Sequence, residues 1–278
     1  MQWSELIRVS MDNTLLSIMA ILAYLGAGLL VFRQLHRRAV LAGRPRSGLF
    51  LLVVAALVLH MLVLLQKFIG SEGLNFGIFN AISLLAWLIA LLLLVAMLSR
   101  PVENLGIIVF PLAALAMGLD YNFTTEHFVD SDNFTLKLHI LISILSYSVF
   151  TIAAIQAVLL AIQDQHLHNK HPGGFIRALP PLQTMEALLF QMLVVGFILQ
   201  SLSLLSGFAF LEDMFAQHLV HKTVLSLMAW GIFAVLLWGR WKFGWRGKMA
   251  IRSTLGGFVL LLLAYVGSKL VLEVMIGR

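Results

Sequence analysis

The sequence predicts an all-α, polytopic transmembrane bundle of eight helices with both termini on the outer, periplasmic side. Three observations predict it. The 278 residues have a mean hydropathy of +0.96, with 60% hydrophobic and 12% charged residues, well outside the range of soluble domains. Eight apolar stretches reach or approach the roughly 20 residues needed to cross hydrocarbon. They are 13–32, 48–68, 76–99, 104–119, 134–162, 186–211, 219–239 and 253–273. Finally, the charges alternate in sign along the connecting loops. Arg33, Arg37, Arg38, Arg44 and Arg46 follow the first stretch, and Arg240, Lys242, Arg246, Lys248 and Arg252 follow the seventh. The segment Asp120–Asn133 instead holds Asp120, Glu126, Asp130 and Asp132 without one Lys or Arg. Basic loops stay on the cytoplasmic side, so the acidic loop and both ends fall outside.

Taken in order, the first span follows Met1–Ser10, which lacks the basic start and small-residue cleavage site of a secretory signal, so the span is expected to remain as an anchor. The second is interrupted by His60. The fourth is short, and Pro111 is expected to kink it. The fifth carries His139 near its start and runs on into the polar stretch 163–174, which Pro172 and two glycines end. No repeat or linker interrupts the rest, and residues 1–278 read as a single transmembrane domain.

Composition excludes several functions. With no cysteine, the chain has no thiolate metal site, thioether haem attachment or disulfide relay of its own. The net charge of +6 lies beside apolar spans, which suits a lipid bilayer and not nucleic acid. Carboxylates inside the spans are limited to Glu186 and Glu273 near helix ends, which disfavours a pump or secondary transporter. No phosphate-binding glycine loop or nucleophilic triad is present.

The histidines carry the remaining chemistry. His60 and His139 each interrupt an apolar helix, where an imidazole is either a ligand to a cofactor or hydrogen-bonded between helices. At 1.5 Å per residue, His60 lies roughly 12 Å and His139 roughly 8 Å below the outer edge, about one helical turn apart in depth. One planar macrocycle would reach both if the second and fifth helices faced each other. His218 and His221 share a face at the start of the seventh helix, where they are open to a cofactor carboxylate or to water. Lys137 and Lys222 flank the same rim, free to meet a ligand's carboxylates, Glu212 and Asp213, or solvent. The tract His166, His168 and His171 is a possible transition-metal site with one nearby carboxylate, Asp164. His36 and His127 read as solvated, and Trp230, Trp238, Trp241 and Trp245 as interfacial anchors.

Several patches stand out: Leu179-Pro180-Pro181-Leu182 with the span ending Leu204-Leu205-Ser206-Gly207, Trp230–Leu237 followed by Gly244-Trp245-Arg246-Gly247, His139 with Ser143, Ser146 and Tyr147, and His60-Met61-Leu62. Together they resemble the cytochrome c assembly family of haem-handling membrane proteins, which includes CcsA, CcmC, CcmF and HemX. The resemblance covers roughly 50–270 and is greatest to the small, eight-helix, YpjD-type branch of inner-membrane CcsA-like proteins. It implies a bacterial inner-membrane protein that binds haem b, with His60 and His139 on the iron and His221, Lys137 and Lys222 toward the propionates. It also implies a membrane protein partner of unidentified kind. The pattern departs from the larger synthases at three places. Their tryptophan-rich outer loop corresponds to 208–220, which has no tryptophan; Trp238 stands about where a second membrane histidine would be; and the tail 267–278 has no histidine. A complete haem lyase is therefore not expected from this chain alone. The alternative implied is a regulator or transporter-associated subunit that keeps the scaffold without haem transfer.

Overall fold

In the computed structural model, the residues described are 3–37, 47–70, 73–75, 77–123, 128–129, 134–169, 179–210 and 217–267. Among them, eight helices are long and apolar enough to cross a membrane, as the sequence predicts. The chain divides into two compact units, Met1–Ser131 and Asp132–Arg278.

The first unit contains α1 (Trp3–Arg37), α2 (Ser47–Phe68), α3 (Ile78–Ser99) and α4 (Gly106–Asn122), with one turn of tighter helix at Glu103–Leu105 leading into α4. Small residues let α1 approach its neighbours: Ala20, Ala23 and Ala27 are all buried and share one face with Tyr24 and Val31. Ala20 packs with Val63 of α2 and Met117 of α4, and the Tyr24 ring stacks on Phe110 at 6.4 Å. The Trp87 indole of α3 donates to the Leu57 carbonyl of α2 at 2.9 Å. Three short strands not foreseen from the sequence, β1 (Ile69–Gly70), β2 (Gly73–Asn75) and β3 (Phe128–Val129), pair antiparallel in that order.

α4 continues through Pro111 to Asn122, three residues beyond the expected end of the fourth span. Asp120, read from the sequence as the first residue of an acidic loop, therefore lies inside a helix and is 2% exposed. Its charge is met by Lys67 at the end of α2, 3.1 Å away.

The second unit contains α5 (Phe134–His168), α6 (Leu182–Phe210), α7 (Gln217–Phe243) and α8 (Lys248–Leu262), the last running on into a wider turn at Leu263–Gly267. Its core is a stack of Phe150 from α5 on Phe233 from α7, with centroids 4.1 Å apart. Gly196 of α6 and Gly257 of α8 sit against these two rings. A Cβ on Gly196 would lie 3.0 Å from Phe150, and one on Gly257 2.6 Å from Phe233.

Two turns frame the unit. The Pro181 carbonyl accepts the Met185 N–H at 3.1 Å and so begins α6 four residues earlier than expected. Gly244 and Gly247, at φ of 68° and 54°, make the Gly-Trp-Arg-Gly turn between α7 and α8. Arg240, Lys242, Lys248 and Arg252, expected in a loop, are helical residues flanking this turn. The Arg240 guanidinium donates to Glu186 at 3.0 Å and to the Trp245 carbonyl at 3.1 Å, and lies 4.5 Å above the Phe190 ring. This clasp joins the ends of α6 and α7 to the turn. It also satisfies Glu186, a carboxylate that would be costly to leave bare at this depth.

Candidate functional site

His139 stands in the second turn of α5, half-buried, facing α6. Its Nδ1 is 2.9 Å from the Ser206 hydroxyl. That hydroxyl has one proton, which it donates to the Ser203 carbonyl at 2.8 Å. Ser206 can then only accept from the ring, so the proton of a neutral His139 sits on Nδ1 and its Nε2 carries a lone pair. The ring also has a hydrogen bond to the Ser203 backbone, so Ser203 and Ser206 of α6 both face the imidazole. Ser143, one turn along, donates to the His139 carbonyl at 2.7 Å and meets the Ser203 hydroxyl at 2.7 Å, which fastens α5 to α6 beside the imidazole.

A histidine metal ligand needs one ring nitrogen held by a neighbour and a lone pair on the other; the contact of Nδ1 with Ser206 meets the first of these needs.

His60 is arranged differently. It lies in α2 at 0% exposure, and both ring nitrogens are engaged within the first unit. Nδ1 is 3.2 Å from the Tyr24 hydroxyl and Nε2 is 2.9 Å from the Ser83 hydroxyl. The Tyr24 ring meets the imidazole edge-on, with centroids 5.7 Å apart. Coordination by His60 requires that one of these two bonds open.

The rim candidates lie near the starts of α5 and α7. Lys137 and Lys222 are half-buried and His221 is exposed. Among the described residues, neither Lys137 nor His221 bonds to His139. Lys137 precedes His139 by two positions, which puts the two on different faces of α5.

In the His-rich tract, His166 is exposed and its Nδ1 lies 2.9 Å from the Ile162 carbonyl of its own helix, and His168 is exposed. No group of three or more His, Asp or Glu that could hold a metal ion occurs among the described residues. His127, His171, Glu212, Asp213 and the tail beyond 267 lie outside the described residues, as do the side chains of His36 and His218.

Sequence reasoning missed the residues that define both histidine environments. Ser206 and Ser203 are more than 60 positions from His139, and Tyr24 is 36 positions from His60. A signal for the first pair was present: Ser203 and Ser206 stand three apart near the end of a mainly apolar helix, a spacing that puts both on one face.

The family described as Cytochrome C assembly protein matches residues 49–276. The inner membrane protein YpjD of Escherichia coli K12 is 32% identical over 221 residues, covering 78% of this chain and 84% of that protein. The cytochrome c biogenesis protein CcsA of Chlamydomonas reinhardtii is 25% identical over 142 residues, covering 50% of this chain and 38% of that protein. A 28.8 kDa protein of Azospirillum brasilense is 33% identical over 144 residues, covering 51% and 53% respectively.

Proposed function

The chain belongs to the cytochrome c assembly protein family and is a multi-pass protein of the bacterial inner membrane, and from that premise we propose that it binds haem b, with His139 as an iron ligand. The observation that carries the reading is the His139–Ser206–Ser203 run, which holds the Nδ1 side of a half-buried imidazole within an apolar helix. A non-covalent haem accords with the absence of cysteine.

When bound, haem supplies an iron centre whose redox state responds to its axial ligands, burial and hydrogen bonding. The protein's own part is to hold and orient. Ser206 fixes the tautomer and ring plane of His139; Ser143 and Ser203 hold the two helices at that depth. His60 is the second ligand candidate, and it reaches iron only by giving up Tyr24 or Ser83. Lys137, Lys222 and His221, near the starts of α5 and α7, are the candidates to meet propionates.

The reading is haem handling and not complete haem ligation to an apocytochrome, because residues 208–220, where the larger family members have a tryptophan-rich loop, contain no tryptophan. The test is the absorption spectrum of the detergent-purified full-length protein after haem supplementation, with pyridine-haem quantification. The expected result is a Soret band that His139→Ala shifts or abolishes. Absence of the band, or a band indifferent to both His139→Ala and His60→Ala, overturns the proposal in favour of a scaffold that acts as a regulator or accessory subunit without haem.

A further inference from the structure

The turn between α7 and α8 is fixed from within the second unit and carries an aromatic shelf. The Trp245 N–H donates to the Gly239 carbonyl at 3.3 Å, and the Trp245 carbonyl accepts from Arg240 at 3.1 Å. These bonds lay the indole across Gly239, leaving no room for a Cβ on that glycine. Phe243 stacks on Trp245 with centroids 6.2 Å apart and meets Trp238 edge-on at 5.2 Å. Trp238 and Phe243 are exposed, and Trp241, three positions from Trp238 on α7, is 82% exposed.

Four exposed cations border these rings: Lys242 on α7, Arg246 in the turn, and Lys248 and Arg252 on α8. Lys248 and Arg252 are four apart, so they share a face of α8. Arg240 is neutralised by Glu186, whereas among the described residues none of these four forms an ion pair. The sequence has no Asp or Glu between Asp213 and Glu273. Lys248 and Arg252 also lie in the opening turns of α8, whose first turn has no acidic residue. That is the positive end of the helix dipole, where further positive charge is disfavoured. Negative charge brought to this face relieves the repulsion.

We propose that the α7–α8 turn binds the headgroup of an anionic phospholipid of the phosphatidylglycerol class. Exposed tryptophans collect at the level of lipid headgroups. At that level acyl chains cover Trp238, Trp241 and Phe243 while the phosphate meets Arg246, Lys248 and Arg252. A zwitterionic lipid offers the same phosphate but brings its own ammonium, and so leaves the cations uncompensated. An acidic polypeptide matches the charge but offers the rings no hydrocarbon. The proposal goes beyond haem handling and does not rest on it.

The test is tryptophan fluorescence of the full-length protein in phosphatidylcholine bilayers. These contain an equal fraction of either brominated phosphatidylglycerol or brominated phosphatidylcholine, since bromine quenches indoles that its lipid touches. The wild type should be quenched more by the anionic lipid, and about 1 M salt should shrink the excess. Each Lys or Arg near a bilayer surface contributes about 5-fold to attraction for anionic lipid, so Arg246→Gln/Lys248→Gln/Arg252→Gln should weaken the preference on the order of 100-fold and erase the excess. Arg246→Lys/Arg252→Lys, which keeps the charge, should retain it. Trp238→Phe/Trp241→Phe should remove most of the excess, which assigns the quenched indoles to this face. Equal quenching of the wild type by the two lipids overturns the proposal, in favour of an acidic polypeptide if polyglutamate binds the same protein. An excess unchanged in the triple variant, or in the double tryptophan variant, also overturns it. The wild-type comparison decides by itself if a variant does not fold.

Discussion

A hydroxyl has one proton, and at His139 this decides which nitrogen can coordinate. Ser206 donates to Ser203, so in the proposed reading His139 donates to Ser206 and coordinates through Nε2. Supporting hydrogen bonds to a metal-ligating histidine are worth about 10–100-fold in metal affinity. Ser206→Ala should therefore weaken haem binding by about 10-fold in a spectroscopic titration while leaving the Soret band position near that of the wild type; unchanged affinity would remove Ser206 from the site. The sequence located both membrane histidines, because an imidazole inside an apolar run is conspicuous. It did not reveal their partners. Tyr24 carries no marker within the first apolar span, and Asp120 reads as the start of an acidic loop, since its neutralising partner Lys67 is 53 positions away. Contacts over such separations leave no trace in local pattern, and they are what sets the two histidine environments apart.

At the level of elements, helices α5 to α8 are set by rings pressed against glycines. Phe150 and Phe233 stack face to face, and Gly196 and Gly257 leave the space the rings occupy. Gly257→Leu would place side-chain carbons where the Phe233 ring lies, and overpacking of this kind costs about 1–3 kcal/mol. The expected outcome is a lower unfolding midpoint in detergent, with Gly256→Leu, whose Cβ meets nothing within 4 Å, much less affected. Equal effects at the two positions would contradict the packing described. At the other end of α7, Glu186→Leu leaves Arg240 without its carboxylate partner; a lost hydrogen bond to a charged group is worth about 1.5–3 kcal/mol, and here the Trp245 carbonyl and Phe190 ring retain part of the arginine's surroundings. A measurable but partial fall in the same midpoint is expected. The eight spans were legible from length and hydropathy, but their ends were not. Charged residues placed in loops by composition proved helical wherever a fold supplied a partner, as for Asp120, or a favourable helix end, as for Arg240 and Lys242 in the last turn of α7. The three short strands escaped because runs of two or three residues carry no period, although Gly70-Ser71-Glu72-Gly73 has the composition of a turn.

For the whole molecule, the basic segments 33–46 and 240–252 and the acidic segment 120–133 predict an arrangement with both termini on the periplasmic side. Alkaline phosphatase, active only outside the inner membrane, should be active when fused after residue 278 or within 124–133, and inactive when fused near residues 40 or 245. The reverse pattern would invert the topology and move His139 to the cytoplasmic half of the membrane. The family is plain from several patches of sequence, yet membership does not fix activity. What this chain does depends on whether His139 ligates iron. The most direct measurement is the absorption spectrum of haem-supplemented His139→Gly protein with and without added imidazole, since a small exogenous ligand can replace a missing axial side chain but cannot repair a fold. Ligation by His139 predicts a Soret band that is lost or displaced in His139→Gly and returns to the wild-type position as imidazole is added. A His139→Gly spectrum identical to the wild type before any imidazole would contradict the account.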